Sequence, residues 1–220
     1  MLPTPDLSHL TKEDFIRVYE PAEDTFILLD GLENDAVELQ NLDPKICLEI
    51  GSGSGCVSAF VGKLLGSSRC LYLTTDINPY ASKCTVSTGK QNAVPIESIT
   101  ASLDSPLALR LRRNVDLLIF NPPYVPTSSE EADAAQESRG IGGSWAGGTD
   151  GMEITGLFLN NLPNLLSTNG RFYLVGVAVN NISAIHQNLR GLRLDGKVIL
   201  HRRAGREHLY VMKFMRILTP

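Results

Sequence analysis

Several common routes to function are closed by what this chain has little of. In 220 residues there are one tryptophan, four histidines and four cysteines. The cysteines, Cys47, Cys56, Cys70 and Cys84, form no C-x-x-C pair, and two of them fall inside strand-like apolar runs where a thiol packs as a small hydrophobe. Neither a metal site nor a disulfide framework is expected. No apolar run is long enough to cross a bilayer, and the opening MLPTPDLSHLTKEDF lacks the basic-then-apolar order of a secretory signal. The expectation is an intracellular protein without a membrane partner, cytoplasmic, with the nucleus left open. Asn181-Ile182-Ser183 matches a glycosylation acceptor, but with no signal segment it reads as a chance match. Basic charge is short as well, 20 Lys and Arg against 24 Asp and Glu. Residues 1–105 hold 7 basic and 15 acidic side chains, and residues 106–220 hold 13 and 9. So acidic a first half argues against a polyphosphate-tracking surface, and nucleic acid is not an expected partner. The local exception, HRRAGR at 201–206, reads as a solvated hairpin tip.

What is present looks globular: 43% apolar and 20% charged residues with 12 prolines. The length suits one domain, a fold over residues 18–215 preceded by a tail at 1–17. KICLEI (45–50), CLYLTT (70–75), PIESIT (95–100), VDLLIF (115–120) and RFYLVGV (171–177) read as strands. Helical patterns lie between them at roughly 55–65, 79–91, 150–166 and 180–190. Strands that are apolar throughout and alternate with helices predict a doubly wound α/β sandwich with a mostly parallel sheet. The last two strand-like runs, joined at RRAGRE without room for a crossover helix, predict an antiparallel C-terminal hairpin. These make seven strands. At the front, YEPAEDTFILLDGLE reads as a helix with acidic residues in its first turn.

Three stretches carry chemistry. In LEIGSGSGCVS, Gly51, Gly53 and Gly55 follow a strand and open a helix, so the backbone turns sharply and approaches a ligand with no Cβ in the way. Alone that is weak, since a tight strand-to-helix turn needs the same residues. The next strand ends in TTDIN and sets Asp76 25 residues after Gly51, near the offset at which an acid meets ribose hydroxyls; the rival reading is a helix-capping Asp. The third stretch is Asn121-Pro122-Pro123-Tyr124. Two prolines cannot donate to a sheet ladder, so the strand stops there, at the sheet edge where open α/β folds bind ligands. Asn121 offers a side-chain carbonyl and Pro122 a main-chain carbonyl whose direction the next proline restricts, two acceptors for the two hydrogens of a planar NH₂ group. Tyr124 offers a flat face to the substrate. A dinucleotide site would leave this motif without a use. S-adenosyl-L-methionine fits better: its ammonium and sulfonium favour an acidic lining, which Glu49 helps provide. Such a site works by positioning and desolvation and needs no general base, because the proton leaves after the nitrogen is methylated. The glycine-rich RGIGGSWAGGTDGMEI (139–154) joins the fourth strand to the next helix and is either a lid carrying Trp145 or a plain loop.

In order and spacing, VYEPAEDTFILLD, CLEIGSGSGCVSAF, TDINPYA, VDLLIFNPPYVP and SWAGGTDG resemble the eukaryotic HemK-like class I methyltransferases, which modify the glutamine of the Gly-Gly-Gln motif in the translation release factor. The resemblance covers roughly residues 18–215, and the short N-terminus resembles the eukaryotic branch. It implies a Rossmann-like fold, S-adenosyl-L-methionine as cofactor, the release factor as substrate, and a small zinc-binding activator subunit as heterodimer partner. That subunit would pair along Pro95–Thr100, where exposed Ile96 and Ile99 would otherwise risk aggregation. Carried over by position, Thr25 meets the methionine part; Glu49, Gly51 and Gly53 the loop side; Asp76 the ribose; Ser102 and Leu103 the adenine; and Asn121 both cofactor and substrate, with Pro122 and Tyr124 completing the substrate grip. One departure stands out. The family has Asp-Leu beside the adenine amino group where this chain has Ser102-Leu103, so either the serine hydroxyl substitutes or a local shift brings in Asp104. The same chemistry also permits methylation of an adenine or guanine amino group in nucleic acid, or of a protein lysine once it has lost a proton. A silent binding partner is the alternative outside enzymes, and the intact Asn121 and Asp76 speak against it.

Overall fold

A computed structural model of the chain describes residues 2–217. In chain order its elements are helices α1 (Lys12–Phe15), α2 (Glu23–Asn34) and α3 (Ala36–Leu42), strand β1 (Ile46–Ile50), α4 (Cys56–Leu65), β2 (Leu71–Asp76), α5 (Pro79–Gln91), β3 (Ile96–Thr100), β4 (Val115–Phe120), α6 (Ser129–Ser138), α7 (Glu153–Leu165), β5 (Leu166–Val177), α8 (Ile182–Gly191), β6 (Leu194–Ala204) and β7 (Glu207–Arg216). The seven strands form one sheet in the order β3-β2-β1-β4-β5-β7-β6. The first five pair in parallel, and β7 runs antiparallel to both β5 and β6. This is the expected Rossmann-like sheet with its C-terminal hairpin.

Period-two alternation sorts the strand residues onto two apolar faces. In β4, Leu117 and Ile119 enter a core with Ile27, Leu28 and Leu32 of α2 and Phe60 of α4, while Leu118 and Phe120 enter the opposite one with Phe158 and Leu162 of α7 and Ile185 of α8. The second core holds a row of rings, Phe120, Phe158, Phe172 and Phe214, with successive centroids 5.1, 6.0 and 6.1 Å apart. Such spacings let neighbouring rings interact beyond simple area burial.

Three elements differ from expectation. Helix α6 was not foreseen, although Ser128 caps it by accepting the Glu131 N–H at 3.1 Å in a Ser-x-x-Glu arrangement. The segment before residue 18 lies along α5, with Asn92 bonded to the Asp6 backbone and His9 to Thr88. At the sheet margin, β3 is indeed an edge, but Ile96 is only 6% exposed. Its side chain points under the sheet into the core with Val94, so only Ile99, half-buried, adds apolar surface at this edge.

A buried ionic knot fixes the far end of α2. Lys213 of β7, 5% exposed, sits 2.8 Å from Asp35 and 2.6 Å from Glu38, and the Tyr173 hydroxyl donates to Asp35 at 2.8 Å. A buried ammonium is tolerated only when paired in this way. The knot thus fastens the α2–α3 junction to the sheet, while the other end of α2 faces the cleft.

Candidate active site

The carboxyl ends of β1, β2, β3 and β4 open onto one cleft, roughly 940 Å³ including its mouth. That is the sheet edge at which open α/β folds bind ligands. On its β1 side, Gly51 and Gly53 take the left-handed conformation, φ 68° and 53°, and a Cβ on Gly53 would meet no atom within 4 Å. The bare backbone faces open space there. Gly55 has a different reason: its Cβ would lie 2.7 Å from the Thr85 Cα, so only glycine lets α4 and α5 meet.

Asp76 closes the β2 side. One carboxyl oxygen accepts the Gly53 N–H at 2.8 Å and the other the Asn78 N–H at 2.9 Å. It therefore braces the glycine turn and the start of α5 together while lining the cleft. Burial raises its pKa, against the opposing pull of those two N–H groups. Glu49 also lines the cleft, 3% exposed, with the Ser58 hydroxyl donating to it. Burial pushes its pKa up to about 8, the Ser58 hydrogen bond opposing and nearby Asp76 adding.

The centre of the site is a residue to which the sequence reading gave no role. Asp24, 4% exposed in the first turn of α2, accepts the Thr25 N–H at 2.7 Å, the Asn121 Nδ2 at 3.0 Å, and the hydroxyls of Tyr19 at 3.1 Å, Thr25 at 3.3 Å and Tyr124 at 3.3 Å. Because its oxygens accept, the amide nitrogen of Asn121 must face it and Oδ1 must point elsewhere. That Oδ1 is buried with no hydrogen-bond partner, on a residue that lines the cleft. An unpaired buried acceptor costs about 1–3 kcal/mol, which a bound donor would recover. Desolvation followed by the Asp24 charge pushes the Tyr124 and Tyr19 phenols far above their usual pKa, so both remain hydrogen-bond donors.

The prolines are held from behind. Gly147 packs against Pro123 and Gly151 against Tyr124, since a Cβ on Gly147 would lie 2.6 Å from the Pro123 carbonyl oxygen and one on Gly151 2.0 Å from that of Tyr124. Val125 accepts the Gly147 N–H at 2.9 Å and donates to Trp145 at 3.0 Å. Asn180 donates to the Tyr124 carbonyl at 3.0 Å. The glycine-rich segment is accordingly neither a plain loop nor a lid swung by Trp145, whose side chain is 40% exposed and off the cleft wall. It is a buttress under the Asn-Pro-Pro-Tyr turn, and its Ile141, Gly143 and Ser144 form part of the cleft wall.

Of the residues singled out from sequence, Thr25, Glu49, Gly51, Gly53, Asp76, Leu103 and Asn121 all line this cleft. Pro122 is buried behind the wall that Pro123 forms. Tyr124 faces a second, more open hollow with Arg203, Gly205 and Glu207 of the β6–β7 tip, joined to the cleft through Tyr19 and Asp24. Ser102 is the exception. It is exposed and off the wall, because the chain reverses at Leu103, φ 49°, and turns Ala101 and Leu103 inward instead. Asp104 is buried elsewhere, accepting a hydrogen bond from Asn161.

Residues 25–138 match the methyltransferase small domain family. The Mus musculus methyltransferase HEMK2 is 46% identical over 98% of this chain and 97% of its own length. The Schizosaccharomyces pombe eRF1 methyltransferase catalytic subunit mtq2 is 42% identical over 99% and 97%. Among solved structures, the E. cuniculi Mtq2–Trm112 complex, responsible for methylation of the eRF1 translation termination factor, superposes with a TM-score of 0.62 at 24% identity, covering 91% of this chain and 99% of that one.

Two outcomes follow from the site as built. Asp24→Ala orphans four side-chain donors and is expected to lower unfolding free energy by about 2–4 kcal/mol and to cut turnover at least about a hundredfold, while Tyr124→Phe, removing one donor, costs about 1 kcal/mol. Equal losses in urea titrations of the two variants would show that Asp24 is not the hub. For Glu49, a pKa of about 8 means that the neutral form is favoured on folding. Its stabilisation is whole below the ordinary carboxylate pKa and is lost as pH rises through about 8, at about 1.4 kcal/mol per unit of displacement. Between pH 5 and 9 the wild type should therefore lose stability relative to Glu49→Gln, and parallel profiles would contradict this.

Proposed function

The chain belongs to the methyltransferase small domain family, with the HEMK2 and Mtq2 enzymes among its relatives, and on that premise we propose that it methylates the side-chain amide nitrogen, N5, of the glutamine in the Gly-Gly-Gln motif of the eukaryotic translation release factor. The observation that carries this reading is the oriented Asn121 amide, with Nδ2 committed to Asp24 and Oδ1 buried and unsatisfied. S-adenosyl-L-methionine, the proposed cofactor, supplies a methyl group on a cationic sulfur. The donor set fits it: two left-handed glycines, of which Gly53 has open space over it, an acid at the end of β2, and a buried acid beside the glycine turn.

In this reading Asp76 holds the ribose, Gly51 and Gly53 let the backbone approach, and Thr25 with Glu49 faces the methionine part. Glu49, largely neutral in the free protein near pH 7, ionises more readily against a bound cation. Asn121 Oδ1 accepts one hydrogen of the substrate amide and turns the nitrogen towards the reacting carbon; the Pro122 carbonyl is assigned the second hydrogen from the motif alone, since Pro122 does not line the cleft in the free protein. The ring of Tyr124, clamped by its hydroxyl on Asp24, walls the substrate side. Positioning and exclusion of water supply the rate. No residue is needed as general base, since the nitrogen sheds its proton after the new bond has formed. A protein substrate is favoured over nucleic acid because Glu23, Asp24 and Glu207 outnumber Arg203 around the substrate hollow, the wrong sign for phosphate.

The proposal includes a small zinc-binding activator subunit paired along the β3 edge and a cytoplasmic setting, where termination takes place. Its support is the unpaired margin of β3 and the resemblance of this fold to a subunit that was solved as a complex. No helix among the described residues is long and apolar enough to cross a membrane.

The test is transfer of labelled methyl from S-adenosyl-L-methionine by the chain coexpressed with the activator. Label is expected on the release factor, and none on its Gly-Gly-Arg variant or on naked nucleic acid. Asn121→Ala should abolish turnover while holding cofactor affinity within about tenfold, or 1.4 kcal/mol. Label persisting on the arginine variant would defeat the substrate assignment, and lost cofactor binding would misplace Asn121.

A further inference from the structure

The cleft crosses the ends of β4, β1, β2 and β3 in that order. Neighbouring strands lie about 4.8 Å apart, so Asn121 and the end of β3 are separated by about 14 Å. With the reacting methyl beside Asn121 and the ribose beside Asp76, the adenine lies past β2, among Ile77, Ala101 and Leu103. None of these three side chains is polar. Ser102 is exposed and off the wall, and Asp104 is turned into the protein against Asn161. On the strand side, then, the amino-bearing edge of the base meets apolar side chains alone.

The opposite wall differs. Gln136 lines the cleft from α6, half-buried, four residues after the inward-facing Ala132 and so on the same helix face. Among the described residues its side-chain amide has no hydrogen-bond partner. A Cβ on Gly143 would lie 3.4 Å from Gln136 Nε2 and 3.7 Å from Ile77 Cγ2, so the amide and the Ile77 side chain converge on one point. We propose that Gln136 reads the adenine edge of the cofactor, Oε1 accepting from the exocyclic amino group and Nε2 donating to the adjoining ring nitrogen. A glutamine amide presents an acceptor and a donor side by side, the complement of that edge. The assignment rests on the S-adenosyl-L-methionine reading above, and it gives this chain its own solution where the strand end carries Ser102.

Calorimetric titration of the full chain with S-adenosylhomocysteine and with its 6-deamino purine analogue separates the two claims. The wild type is expected to bind the parent about tenfold or more tightly than the analogue, the penalty for one acceptor left without a donor. Gln136→Leu should bind the two alike, and Gln136→Glu should keep a preference, since its carboxylate still accepts from the amino group. Asp76→Ala should weaken both ligands to a similar degree. A Gln136→Leu variant that retains the wild-type preference overturns the role of Gln136 and leaves the cofactor reading standing. A wild type that binds neither ligand overturns both.

Discussion

The structure turns on one hydrogen bond, from the Asn121 amide nitrogen to the buried Asp24 carboxyl. An asparagine at a strand end has two faces, a donor and an acceptor, and only a fixed neighbour decides which of them a ligand meets. Asp24 makes that decision and pays no isolated-charge penalty, because five groups donate to it. The consequence lies on the far side of the amide, where Oδ1 is left buried with no partner from the described residues. An acceptor kept unsatisfied in this way is a binding determinant for an N–H, and everything proposed about the reaction extends from it.

Two parts of the fold keep that bond in place. Helix α2 is tied at its far end by Lys213, Asp35 and Glu38, so Asp24 in its first turn cannot drift from β4. Behind the prolines, Gly147 and Gly151 allow a backbone approach that any side chain would block, and Asn180 adds a direct bond to the Tyr124 carbonyl. Rigid positioning is what methyl transfer to a weakly nucleophilic amide requires, since a misplaced lone pair forfeits most of the advantage of proximity.

Much of this was legible beforehand. The strands, the hairpin, the glycine turn and the Asn121 turn all announce themselves by local rules, such as β-rich runs, φ-permissive glycines and prolines that end a ladder. Asp24 was in plain view within AEDTF, yet it read as an ordinary first-turn acid, because which way a carboxyl points depends on strands nearly a hundred residues away. Helix α6 carried a readable cap at Ser128, obscured by a polar composition that looks like loop. The Trp145 segment misled for a related reason: glycines that signal freedom in a chain signal close packing once a partner backbone is known. Ser102 failed because one left-handed residue, Leu103, rotates the local chain and exchanges which side chains face the cleft.

The most direct measurement is a crystal structure of the chain with S-adenosylhomocysteine and a Gly-Gly-Gln peptide. The account predicts the glutamine amide nitrogen within about 3 Å of Asn121 Oδ1, pointing at the sulfur, with Nδ2 still bonded to Asp24. An Asn121 side chain rotated away from Asp24, or a glutamine amide bound out of reach of Oδ1, would contradict it.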